Sequence, residues 1–135
     1  MNMIPSIFRR CYLHLFDTKK ELDSTLLDIC VDIAVNHKIN TTVFSTEFTG
    51  EEFANLFIDY YGEKNINKVT EAPLSFTNIK SESFDEISGI IRSCVAIGCK
   101  LVILVGDYVR IIDRYNELAE ELNISMLAMD INHNI

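Results

Sequence analysis

Four carboxylates set the chemistry this chain could attempt: Asp17, Glu47, Asp107 and Asp130. Each stands at or near the end of an apolar or β-branched run, the composition of a strand. In an open parallel sheet, ligands bind at the C-terminal ends of the strands. Carboxylates converging there hold Mg²⁺, which takes oxygen ligands and keeps several waters. Such a centre supports metal-dependent hydrolysis of the nuclease or phosphatase type. The same positions have a plainer use. Asp17 and Asp107 also stand where helices are expected to begin, and an N-cap aspartate is worth ~1 kcal/mol in its own right.

A second acidic set points to binding. Asp113, Glu117 and Glu121 recur every four residues, with Glu120 beside them. Like charges at this spacing disfavour an isolated helix by ~0.2–0.5 kcal/mol per pair. Glu120 and Glu121 also fall in the last turn, against the negative end of the helix dipole. Local rules broken without a folding gain concentrate at functional surfaces. Glu47 and Glu51, near the start of the second helix, extend the candidate partner-binding set. A solvated helix face that keeps the protein soluble is the bland alternative.

Other chemistries lack their residues. A dinucleotide site needs Gly-x-Gly-x-x-Gly after the first strand so that backbone can approach the pyrophosphate. This chain has Phe16-Asp17-Thr18-Lys19-Lys20-Glu21 there, without glycine. No Walker-type phosphate loop and no Gly-x-Ser-x-Gly elbow occurs. Asp17-Thr18 after an apolar strand resembles the opening of a PIN-type nuclease. The Asn expected soon after is missing, and no acidic spacing elsewhere completes that pattern. Cys11, Cys30, Cys94 and Cys99 form no Cys-x-x-Cys and no Cys/His pair at zinc spacing, so reduced cysteines are expected. Cys94 sits on an apolar stripe and reads as core, whereas Cys99 follows a helix stop and reads as more exposed. Of the histidines, His14 lies mid-strand, His37 near a helix C-terminus and His133 in a short polar tail. No cofactor is expected.

The elements that would position these groups alternate. Phe8 to Phe16 has strand periodicity. Asp17 or Thr18 caps a helix whose stripe is Leu22, Leu26, Ile29 and Ile33 and which stops near Asn36 to Asn40. Thr41 to Phe48 is a second strand. Thr49 and Glu52 form a capping box, and Gly62 ends that helix. Lys68 to Phe76 is a weaker strand, pushed to an edge or a bulge by Pro73, with a loop as the alternative across Asn65 to Glu82. Ser83 to Glu86 reads as another capping box, leading into a helix that stops at Gly98. Leu101 to Val105 is apolar throughout, as a strand covered on both faces must be. Asp107 would cap the last helix, and Ser125 to Ile131 closes the chain. The result is a single α/β domain over residues 1–135. It has about five mainly parallel strands alternating with four helices in three layers, Rossmann- or flavodoxin-like.

Composition narrows function by exclusion. With 135 residues and 48% hydrophobic content, the chain has a core without needing disulfides or metals. The longest apolar run, Leu101 to Val105, is far short of the ~20 residues that span a bilayer, and no signal peptide is visible at the N-terminus. No membrane association and a cytoplasmic location are therefore expected. The net charge is −8, with +3 over residues 1–20 and −11 over residues 21–135. A chain so acidic lacks the basic face that direct nucleic-acid binding requires. It suits a basic protein partner instead. The resulting expectation is an immunity-type inhibitor that neutralises a basic partner such as a nuclease toxin. The abundance of Ile (18) and Asn (11) is in keeping with an AT-rich, bacterial mobile gene. The carboxylate hydrolase is the alternative.

Overall fold

A computed structural model describes residues 10–80 and 83–132. Phe8 and His133 lie outside the described residues, as does Glu82 at the end of the expected loop. Among the described residues, five strands form one parallel sheet: β1 (Cys11–Phe16), β2 (Thr41–Ser45), β3 (Leu74–Asn78), β4 (Leu101–Val105) and β5 (Ser125–Ile131). Their spatial order is β1-β5-β4-β2-β3. Five α-helices connect them: α1 (Lys19–Ile29), α2 (Gly50–Tyr61), α3 (Ile66–Thr70), α4 (Phe84–Ala96) and α5 (Ile112–Leu122). The α/β class and the alternation follow the sequence pattern. The fifth helix does not. Residues 68–70, assigned above to a strand, complete the short α3, and β3 begins only after Pro73. Pro73 keeps its carbonyl in use, accepting from Thr41 N at 2.9 Å, and β3 lies at a sheet edge.

The pleat of the central strands divides the core into two layers. Val43, Leu101, Ile103, Val105 and Met129 face α1 and α2, where Leu22, Leu26, Phe53 and Phe57 cover them. Phe44, Val102, Leu104, Met126 and Ala128 face α4 and α5, where Ile87, Ile91, Tyr115 and Leu118 close over them. Connections running toward β3 use one layer and those running back use the other, as right-handed crossovers demand.

Local signals explain most boundaries. Thr18 caps α1, its hydroxyl accepting from Glu21 N. The helical path continues past Ile29 as a π-helical segment, Cys30–Asn36, and ends at His37. The Thr49/Glu52 capping box is fully formed on α2. Gly62 and Gly98 follow α2 and α4 at φ values of 90° and 109°, which a side chain would resist. Two expected caps are absent. Ser83 is the N-cap residue of α4, but its side chain makes no capping bond. Asp107 does not cap α5: a 3-10 turn, Val109–Ile111, intervenes, and the N-cap residue is Ile111. No helix among the described residues is long and apolar enough to cross a membrane.

Candidate functional site at the carboxyl ends of the strands

Neighbouring β2 and β4 send their following helices to opposite layers. That makes the gap between them the switch point, where parallel α/β folds place ligands. The turn after β2 is held firmly. Ser45 Oγ accepts from Glu47 N at 2.9 Å and Phe48 N at 3.1 Å. Asn78, at the end of β3, donates to the carbonyls of Ser45 and Phe48. The turn after β4 uses Gly106 at φ 152°, whose N–H bonds Met129 O at 3.0 Å. These bonds fix the backbone that presents Glu47 and Asp107, both exposed to solvent.

Beside this gap lies a cleft of about 130 Å³ lined by Lys19, Leu22, Asp23, Glu47, Phe48, Val105, Asp130 and Ile131. Asp130 is buried at 3% exposure, and its Oδ1 accepts from Ile131 N at 2.7 Å. Asp23, on the second turn of α1, is buried at 6% and pairs with Lys19 at 2.8 Å. Lys19 Nζ also lies 4.8 Å from the centre of the Phe48 ring.

The four carboxylates singled out as metal ligands are thus only partly brought together. Glu47 and Asp130 line the cleft, while Asp17 and Asp107 do not. Among the described residues no group of three or more His, Cys, Asp and Glu is placed to hold a metal ion. The capping alternative also fails for Asp17 and Asp107, since Thr18 caps α1 and Asp107 caps nothing. Both stand exposed at the rim without either assigned use.

The second acidic set has a different environment. Asp113, Glu117, Glu120 and Glu121 are exposed on α5, and Glu51 is exposed in the first turn of α2. Glu121 is engaged across the layer by Arg92 of α4. That hydrogen bond holds the Glu121 carboxyl below its ordinary range and raises the Arg92 guanidinium. Arg114 lies 3.9 Å from Asp85 and over the Phe84 ring at 4.0 Å. Part of the apparent like-charge clash on α5 is therefore relieved by a neighbouring helix, which spacing within one helix does not reveal.

The acid gathers at one end of the molecule. In parallel connections, strand C-termini and the following helix N-termini share an end. That end carries Asp17, Glu21, Asp23, Glu47, Glu51, Glu52, Asp85, Glu86, Asp107, Asp113 and Asp130 against Lys19, Lys20, Lys80, Arg110 and Arg114. Glu21, Glu51, Glu52, Asp85, Glu86 and Asp113 lie in first turns, where the helix dipole favours them. The strand-end carboxylates have no such reason.

Three of the four cysteines are buried. Cys11 and Cys30 are buried, and desolvation pushes both thiols up to about 12. Cys99, read from sequence as exposed, is buried at 3%, with Sγ 3.4 Å from Thr42 Oγ1 and 3.2 Å from Leu101 O. Cys94 is half-buried and packs against the core, as its stripe predicts. Cys99 is covered because the chain re-enters the sheet directly after Gly98. His14 stacks on Phe16 at 4.1 Å, and His37 Nδ1 sits 2.6 Å from Asp32 O.

Sequence reasoning missed Lys19 and Asp23. Their opposite charges at i, i+4 were the available signal, but nothing in the spacing marks Asp23 as buried.

No family model and no curated protein sequence matches this chain. The fold is similar to that of a DnaB-like replicative helicase, solved in work on its interactions with primase. The likeness has a TM-score of 0.72 at 12% identity and covers 92% of this chain. The chain spans 39% of the helicase's length.

Proposed function

We propose that this protein is a non-catalytic, acidic binding module of the immunity-inhibitor kind, which docks its strand-end rim on a basic protein such as a nuclease toxin. The observation that carries the reading is the inversion of charge at the switch point. Parallel α/β folds hold phosphates there with glycine-rich backbone and helix N-termini. The turns at this switch point carry Glu47 and Asp107 to solvent, and the loop after β1, two strands away, has no glycine and exposes Asp17. An anion approaching it meets carboxylates, whereas a basic surface is attracted and steered. Asp113, Glu117 and Glu120 continue the acidic surface along α5.

The test is capture from the native host's lysate at low salt, followed by association kinetics with the purified partner. A stoichiometric basic protein is expected, with an on-rate that falls as salt rises. In the Glu47→Lys/Glu51→Lys double variant the on-rate drops by roughly tenfold and its salt dependence flattens. Glu117→Lys/Glu120→Lys tests the α5 flank in the same way. A partner without basic character, or an on-rate indifferent to salt and to both variants, overturns the reading.

A second reading is favoured by the fold likeness across 92% of the chain. The helicase of similar fold is described through its interactions with primase, and a partner of this module in a replication assembly fits that likeness. The identity of the captured protein separates the two.

A further inference from the structure

The cleft beside the switch point pairs features that one type of side chain satisfies together. Leu22, Val105 and Ile131 supply apolar wall, Phe48 an aromatic face, and Asp23, Glu47 and Asp130 the carboxylates. At about 130 Å³ it far exceeds the ~10–15 Å³ that holds one water. A cation already occupies it. Lys19 Nζ pairs with Asp23 Oδ2 at 2.8 Å and covers the Phe48 ring at 4.8 Å. That cation is held loosely, for the Lys19 side chain is 63% exposed. Its counterpart is not: the Asp23 side chain is 8% exposed, and its Oδ1 has no hydrogen-bond partner. A buried acceptor left unmade is costly. The ammonium serves one Asp23 oxygen; a planar guanidinium serves two in parallel.

We infer that this cleft is the receptor for an arginine side chain of the basic partner, which displaces Lys19 and takes both oxygens of Asp23; this rests on the protein-binding reading above. The arginine's methylene stem lies along Leu22, Val105 and Ile131, as long cationic side chains do on apolar surface. Its guanidinium stacks on Phe48, a contact that the weakly hydrated, planar group makes better than an ammonium. Glu47 and Asp130 add negative charge around it. A metal ion does not meet these features, since no group of three ligating side chains is placed to hold one among the described residues.

The test is an NMR titration of the intact protein with N-acetyl-arginine methylamide, with the uncharged citrulline analogue as control. Saturable amide shifts at Phe48, Val105 and Ile131 are expected with arginine and not with citrulline. Lys19→Met, which removes the resident cation and keeps its stem, tightens arginine binding by roughly fivefold, the scale of one exposed ion pair and one cation–π contact. Asp23→Asn loses the shifts. Glu47→Gln, an exposed site that leaves folding intact, weakens them. Equal shifts with citrulline, an unchanged affinity in Lys19→Met, or shifts with Mg²⁺ but not with arginine would each overturn the inference. A basic partner captured by a protein that ignores the arginine probe sinks the cleft inference alone. Arginine binding without any basic partner sinks the wider reading instead.

Discussion

At the scale of single residues, burial decides which groups are available for chemistry. Cys11 and Cys30 lie in the two core layers, and loss of hydration raises both thiols from an ordinary 9.0 to about 12. A thiol with a folded value above its unfolded one stabilises the fold fully below the unfolded value, and that contribution is lost as pH climbs through the folded one. The denaturant midpoint should therefore hold steady to about pH 9 and then decline, and decline less in Cys30→Ala. In the native protein at pH 8, a disulfide reagent should modify Cys94 well before Cys11, Cys30 or Cys99. Simultaneous reaction of all the thiols would contradict this burial. Residue identity announced little of it. Cys94 and Cys99 differ only in which side of the Gly98 turn they occupy, and the pattern around them suggested the reverse order. The same holds for the rim: Asp17 and Asp107 carry the cap signature, yet Thr18 and a 3-10 turn take over the capping positions.

Helices and strands are more legible in the sequence than single residues, because each combines several signals. The Thr49 to Glu52 box, the Phe53 and Phe57 stripe and Gly62 all specify α2, and it forms with its box complete. Thr49→Ala should cost ~1 kcal/mol in a chemical unfolding series. Phe57→Ala, at a site 1% exposed, should cost ~3–5 kcal/mol through lost burial and a cavity. A smaller loss at Phe57 would mean that α1 and α2 can collapse onto the gap. Legibility failed where signals conflicted. Lys68 to Thr70 is helical, although Val69 and Thr70 are β-branched; Pro73 already weakens the strand reading there. Short-range pattern cannot show that α3 closes against the end of α2. The π-helical Cys30–Asn36 likewise has no sequence mark, since its stripe fits an α-helix nearly as well.

For the molecule as a whole, alternation was enough to give a parallel α/β sheet, but not its order. That order brings β2 and β4 together, and with them Glu47 and Asp107, which stand sixty residues apart along the chain. Only the assembled topology makes one rim of them. The loop after β1 sets an expectation for nucleotide binding at this rim. Fluorescent ATP analogues should not bind up to millimolar concentration, since the loop after β1 has no glycine and faces carboxylates. Saturable micromolar binding would contradict this expectation. The other end of the sheet is less acidic: Arg10, Lys38 and Lys100 lead into β1, β2 and β4, among Asp32, Asp59, Glu63, Glu71, Glu120 and Glu121. The two ends therefore differ in charge density, and the difference runs along the strands. A cationic surface would be attracted to the rim more than to the opposite end, which biases the orientation of approach before contact.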